Sequence, residues 1–439
     1  MRMKRLFSLA LGFVFLACTV PVGLSAQTSS ADTDKKIADL EKQLEAVRAQ
    51  IEALKTAPAP APAPAVVAVA TPAAAPAANP LAGITGVLGG VSLTGLVDAY
   101  YGYNANHPAA GIGHVGNTAT EPFQFTNSNI SLNLLELQLD KVPDKTAPLG
   151  FRVAFGFGQA MNAVNNGNGD VASVLPGAAQ YLKEGYMSYM APIGKGLLID
   201  AGKFVTPAGA EVIESNQNWN YSRSLLFYYA IPYYHMGARA KYVINDKWAV
   251  TGYFVNGWNN VVATNTGKTG GLSIAWNPTK KLSITENYLG GPRDRTITGN
   301  NSVWNHLTDT VVAYSVNSKL TLQANLDYDL DEGITKNHAG DYTGIAAYAK
   351  YAANPNVTIA GRYEYFNDHD GFATAFKGQH MNEFTGTLER RVAGHLLTRL
   401  EVRHDSSNQN FFQRGASSYV KGQTTASVGL MYVLEPDAK

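Results

Sequence analysis

Glu211 and Glu214 stand three residues apart in a stretch, roughly 206–234, that also holds Trp219, Tyr221, Arg223 and an apolar run from Leu225 through Tyr234. No Ser/His/Asp or paired-carboxylate arrangement recurs at a usable spacing, and the histidines are scattered. Acid–base and nucleophilic chemistry therefore lack their groups, and the chain reads as a non-enzyme with no catalytic residue. What these carboxylates can do is electrostatic. Faced across a narrow passage by a basic wall drawn from Arg152, Arg239, Lys241, Arg399 and Arg403, they would create a transverse field that orients polar solutes and sorts ions. Glu211, Glu214 and Arg223 are then the candidate narrowest point, with Asp98, Arg152, Arg239, Lys241, Arg399, Glu401 and Arg403 lining the passage. The plainer alternative makes the inward Arg and Glu residues salt-bridged filler.

Other motifs carry less. Asp327-x-Asp329-x-Asp331-Glu332-Gly333 spaces carboxylates as a calcium loop does, but the downstream bidentate glutamate is missing, and a solvated loop entry fits better. Gly267-Lys268-Thr269 ends like a phosphate loop, yet Val262 stands where the first glycine belongs and no helix follows. Cys18 is the only cysteine. It falls in the N-terminal segment, so a processed chain has no thiolate to bind metal or attack a substrate. No metal and no cofactor are expected.

The elements that must position these side chains are strands. From about Val91 to Leu434 the chain alternates in segments of period two, and sixteen of them can be counted. Leu93, Gly95, Val97, Ala99, Tyr101 and Tyr103 share one face, with Thr94, Asp98 and Tyr100 on the other. Leu396, Thr398, Leu400 and Val402 oppose Arg399, Glu401, Arg403 and Asp405. Lipid outside and water inside require this pattern. The connectors sort as well. Tight turns such as 192–196, 245–247, 277–280 and 317–319 alternate with long polar loops such as 104–127, 159–180 and 206–234. Short links at one end and long links at the other describe an outer-membrane barrel. The apolar face changes phase between Leu134 and Leu135, which predicts a bulge in the second strand. Tyr101, Tyr189, Trp248 and Trp276 suit interfacial girdles.

The fold class is thus all-β: a transmembrane antiparallel β-barrel of about 16 strands over 91–439. A barrel of that size leaves an aqueous lumen. The third long loop is too aromatic to stand in water, so it is expected to fold into that lumen. The other placements are over the rim or against a neighbouring subunit.

Three segments precede the barrel. Residues 1–26 read as an export signal, with Arg2, Lys4 and Arg5 before an apolar run and Ala26 at the cut. A competing reading takes Phe15-Leu16-Ala17-Cys18 as a lipobox. Residues 32–56 form a periplasmic coiled-coil helix: Ile37, Leu40, Leu44, Val47, Ile51 and Leu54 recur in a/d spacing, with Asp34 as N-cap. Such a seam favours self-association, a trimer foremost, over a lone amphipathic helix. Residues 57–90 are a Pro/Ala-rich linker, semi-rigid and unable to form a core. A formal net charge of +1 gives no reason to expect nucleic acid.

Four blocks carry a resemblance. They are Glu184-Gly185-Tyr186-Met187-Ser188-Tyr189-Met190-Ala191-Pro192, Asp200-Ala201-Gly202-Lys203-Phe204-Val205-Thr206-Pro207-Ala208-Gly209-Ala210-Glu211, Asn220-Tyr221-Ser222-Arg223-Ser224-Leu225-Leu226-Phe227 and Val255-Asn256-Gly257-Trp258-Asn259-Asn260. Together they resemble the OmpL-like β-barrel porins of the outer membrane. The resemblance covers the barrel and implies an outer-membrane diffusion channel without catalytic residues. Gly429-Leu430-Met431-Tyr432-Val433-Leu434 is similar to the terminal insertion signal of such barrels, with Leu434 where an aromatic is usual.

The expected function is a water-filled porin in the outer membrane of a Gram-negative-type bacterium. It would pass small hydrophilic solutes or ions, touch membrane lipid, and assemble as a homo-oligomer. The alternative is a structural anchor whose helix and stalk bind the cell wall or a periplasmic partner.

Overall fold

Along Leu396–Ser407, polar and apolar residues alternate, and burial alternates in the sense opposite to that of a soluble protein. Arg399, Glu401, Arg403 and Asp405 are buried, whereas Leu400 is 54% and Val402 58% exposed. Leu93, Val97 and Tyr101 are likewise exposed beside buried Asp98 and Tyr100. Successive side chains in a strand point to opposite faces. Here the outward face is the apolar one, as surrounding hydrocarbon demands.

The computed structural model describes Glu45 and residues 90–108, 123, 128–166, 180–263, 266–292, 303–335 and 338–434. The chain divides into two units, Met1–Ala78 and Asn79–Lys439. Of the first, only Glu45 is described, and it is helical. The expected signal segment with its lipobox, all of the coiled coil but Glu45, and all of the Pro/Ala linker but Gly90 lie outside the described residues.

The barrel begins with β1 (Ser92–Asn104), β2 (Asn129–Lys141), β3 (Leu149–Phe157), β4 (Leu182–Ala191) and β5 (Leu197–Val205). It continues with β6 (Tyr234–Asn245), β7 (Trp248–Val255), β8 (Thr269–Trp276), β9 (Leu282–Pro292) and β10 (Trp304–Ser315). Then come β11 (Leu320–Thr335), β12 (His338–Asn354), β13 (Val357–Asp368), β14 (Gln379–Ala393) and β15 (Leu396–Ser407). A small hairpin, β16 (Phe412–Arg414) and β17 (Ser418–Val420), stands in the last long loop before β18 (Gly422–Leu434). Neighbours pair antiparallel throughout, β15 pairs with β18, and β18 closes the cylinder on β1. Sixteen strands form the wall. Among the described residues two short α-helices lie in long loops, α1 (Gln159–Asn166) and α2 (Leu225–Tyr229).

The tight turns form for a local reason. Asn245 Oδ1 accepts from the backbone N–H of Lys247 at 2.9 Å and of Trp248 at 3.0 Å. Asn317 does the same for Lys319 and Leu320, and Asp144 for Thr146 and Ala147. A short side chain that replaces a backbone acceptor reverses the strand within a few residues. Trp248 and Trp276 stack at 5.2 Å beside two of these turns, where an interfacial girdle belongs.

The expected bulge in β2 is present. Asp98 pairs with Leu134 and Ala99 with Leu132, so Asn133 is the extra residue. A second bulge lies in β4, where Ala154 pairs with Glu184 and Phe155 with Leu182, leaving Lys183 unpaired in the ladder. A bulge re-aims a side chain. Here Asn133 reaches Asp98 at 2.6 Å, and Lys183 reaches Glu136 at 2.7 Å.

The Asp327–Asp331 run, read above as a loop entry, lies inside strand β11. Its alternate carboxylates are one buried face of that strand rather than a loop. Tertiary extension of the sheet overrode the turn reading of Asp and Gly.

Candidate functional site

The buried apolar residues do not sit between two layers. They join loop 206–233, between β5 and β6, to the inner wall: Leu225, Leu226, Phe227 and Ile231 pack with Tyr342 and Phe366. Each such side chain gains roughly 1.5–3 kcal/mol over exposure to water, which explains why an apolar tract in a connection folds inward. Two wall glycines make room. A Cβ on Gly344 of β12 would lie 2.8 Å from the Leu226 side chain, and one on Gly429 of β18 would lie 2.6 Å from the Tyr221 ring.

The loop backbone is then bound to inward side chains around the cylinder. Asn287 of β9 donates to the Pro207 carbonyl at 3.1 Å, and Asn325 of β11 accepts from Ala210 N–H at 2.9 Å. Tyr342 of β12 donates to the Ala230 carbonyl at 2.7 Å. Glu364 of β13 accepts from the N–H groups of Leu225 at 2.8 Å and Leu226 at 3.2 Å. With Ser224 Oγ accepting from Phe227 N–H, that carboxylate satisfies the first turn of α2. Glu401 of β15 accepts from Tyr221 and Ser222 N–H, and Arg399 donates to the carbonyls of Ser215, Asn218 and Asn220. Asp98 of β1 accepts from Ser215 Oγ at 2.5 Å and Tyr221 Oη at 2.7 Å. Burial and the Asp98 charge raise the Tyr221 hydroxyl well above its ordinary pKa, so it stays a donor.

The two loop carboxylates meet cations, but not those expected. Glu211 Oε1 pairs with Arg362 of β13 at 2.7 Å, and Glu214 pairs with Lys183 of β4. Burial alone would raise the Glu214 pKa. The Lys183 ammonium outweighs it and holds the carboxyl below its ordinary value. Of the supposed basic wall, Arg152 pairs with Asp140 at 2.9 Å and Arg239 with Asp200 at 2.8 Å, both within the wall. Lys241 is exposed. Arg399 and Arg403 do reach the loop, yet through its carbonyls: Arg403 donates to the Arg223 carbonyl at 2.7 Å while pairing with Asp405. Arg223 is buried. Its guanidinium turns back into the loop, onto the carbonyls of Val212, Ile213 and Tyr221.

Of the residues singled out in the sequence, the structure gathers Asp98, Glu211, Glu214, Arg223, Arg399, Glu401 and Arg403 around this loop and leaves Arg152, Arg239 and Lys241 apart from it, while Lys183, Arg362 and Glu364 were not singled out. Period two would have found the last two, since Arg362, Glu364 and Asp368 share a strand face. Lys183 is inward only because of its bulge, which no local pattern announces. Among the described residues, no group of three or more His, Cys, Asp or Glu side chains could hold a metal ion.

A closed antiparallel barrel that is apolar outside and charged within, with a long connection bound to its inner surface, is an outer-membrane barrel of the porin class. The chain belongs to the family described as "Putative beta-barrel porin-2, OmpL-like", whose model matches residues 90–434. Solved structures with the same fold include an anion-selective porin from Comamonas acidovorans, at 11% identity and a TM-score of 0.52 over 78% of this chain and 99% of that one. The outer membrane channel DcaP of Acinetobacter baumannii is similar at 11% identity and a TM-score of 0.51, covering 78% and 97%. The outer membrane protein OmpT of Vibrio cholerae is similar at 10% identity and 0.50, again covering 78% and 97%. No curated protein sequence matches the chain.

Proposed function

We propose that the barrel is a passive, water-filled channel for small hydrophilic solutes and ions, with loop 206–233 as its constriction. The observation that carries this reading is the set of bonds from that loop to inward side chains on β1, β4, β9 and β11–β15. A loop fixed at so many points narrows the bore to a set width instead of flapping over the rim. Around it, Asp98, Glu211, Glu214, Arg362, Arg399 and Arg403 are charged side chains of both signs that pin the loop at that width. The oligomer, a trimer foremost, and the periplasmic position of the 32–56 helix are supported by the heptad seam alone.

Liposome swelling tests the channel. Vesicles holding the purified protein should swell in small sugars and resist larger ones. Vesicles that swell in none would favour the anchor reading, in which the helix and stalk hold the cell wall. Deleting 32–56 tests assembly separately, and an oligomer of unchanged size would remove the helix as its driver.

A further inference from the structure

Buried carboxylates outnumber buried Lys and Arg side chains fifteen to six among the described residues. The formal net charge of +1 conceals this because much of the compensating charge lies at the tight turns, where Lys195, Lys247, Lys280 and Lys319 are exposed. Beside the loop, the wall guanidiniums are neutralised. Arg362 pairs with Glu211, Glu364 and Glu383, Arg399 with Glu389, and Arg403 with Asp405. What remains of the interior charge is negative.

Asp309 and Asp327 are carboxylates without such compensation. They stand directly opposite one another on β10 and β11, 0% and 3% exposed. Asp309 accepts the amides of Asn287 and Asn325, each at 2.7 Å. Asp327 Oδ1 accepts the Asn325 amide at 3.2 Å, and its Oδ2 has no hydrogen-bond donor. Among the described residues no ammonium or guanidinium lies within 4.0 Å of either. Asn287, 1% exposed, points its amide nitrogen at Asp309, so this side of the pair is held by a neutral donor and not by a cation. The pair adjoins the root of the loop, because the same two asparagines hold Pro207 and Ala210.

Carboxamide donors do not cancel two charges. Facing carboxylates must share a proton or attract a cation. Resting on the channel reading above, we propose that the lumen passes cations in preference to anions, and that Asp309 and Asp327 set this preference by receiving a small monovalent cation or primary ammonium group. Two facing carboxylates, one with an oxygen that no donor reaches, suit a singly charged ion that keeps part of its hydration. A chelated divalent ion asks for more protein oxygens than these.

The test is the reversal potential of the purified full-length protein in planar bilayers under a tenfold KCl gradient. The wild type should reverse on the potassium side, with a permeability ratio several-fold above unity. Asp309→Asn with Asp327→Asn keeps the shape and removes the charge, and it should lower that ratio by about twofold or more. Reversal on the chloride side in the wild type overturns the proposal without any variant. So does an unchanged ratio in the double variant, or in Asp327→Asn alone should the double variant not fold. Absence of any conductance from a folded wild-type barrel strikes the channel reading itself, and is thereby distinguishable from a wrong selectivity.

Discussion

Glu211 Oε1 lies 2.7 Å from Arg362 Nη1, and this contact joins the loop to the wall across 151 positions of sequence. Arg362 also lies 2.9 Å from Glu383 and 3.3 Å from Glu364, all four side chains being buried. One guanidinium therefore holds several carboxylates together. Replacing Arg362 with Met leaves Glu211 and Glu364 buried without their cation, with only Arg403 still 3.9 Å from Glu383, and the expected loss is about 3–5 kcal/mol. Urea unfolding in lipid vesicles measures it. Glu211→Gln keeps a hydrogen-bonding group and should cost clearly less. Equal losses would mean that the charge is not what binds the loop.

Arg399 separates geometry from charge. Its fork reaches the carbonyls of Ser215, Asn218 and Asn220 while pairing with Glu389 at 2.6 Å. A lysine at this position would carry the charge on a single point and could not span those acceptors. Arg399→Lys should loosen 215–220 and make open-channel current noisier and larger. Wild-type current from that variant would show that the clamp is dispensable.

The Glu214–Lys183 pair gives a pH dependence. The folded-state pKa of Glu214 is depressed, so its contribution is full above the ordinary glutamate value of 4.5 and is lost as pH falls through the lower folded value. Loop release should therefore appear below pH 4.5, as rising conductance or rising protease cleavage within 206–233. Glu214→Gln should flatten that acid limb. An acid limb of the same size in the variant would assign the effect to another carboxylate.

Gly429 tests packing alone. A methyl group there would lie 2.6 Å from the Tyr221 ring, on a wall that the loop must touch. Gly429→Ala should leave the barrel able to insert but displace Tyr221, increasing its accessibility to iodination. Tyr221→Leu together with Gly429→Ala should relieve the strain. A variant that fails to insert even then would place the role of Gly429 in membrane assembly.

The barrel was legible in the chain because its two constraints are local. Alternation such as Arg399-Leu400-Glu401-Val402-Arg403 fixes which face meets lipid, and asparagines fix the tight turns at Asn245, Asn317 and Asn354. The inward course of loop 206–233 was legible too, since Leu225, Leu226 and Phe227 have no reason to stand in water. Its partners were not. Arg362 lies in β13, on a strand whose angular position round the cylinder depends on every register between. Lys183 points inward through a bulge, and Arg223 turns to its own loop carbonyls, an option that an arginine in a long connection always has. Charge type predicts attraction, but topology chooses which cation arrives.

The most direct measurement is single-channel current of the purified protein in planar bilayers. Discrete, long-lived steps are expected in the wild type, and larger steps once Glu211→Gln and Glu214→Gln loosen the loop where it meets Arg362 and Lys183. A folded barrel that inserts and conducts nothing, or a double variant with the wild-type step size, would contradict a wet bore narrowed by 206–233.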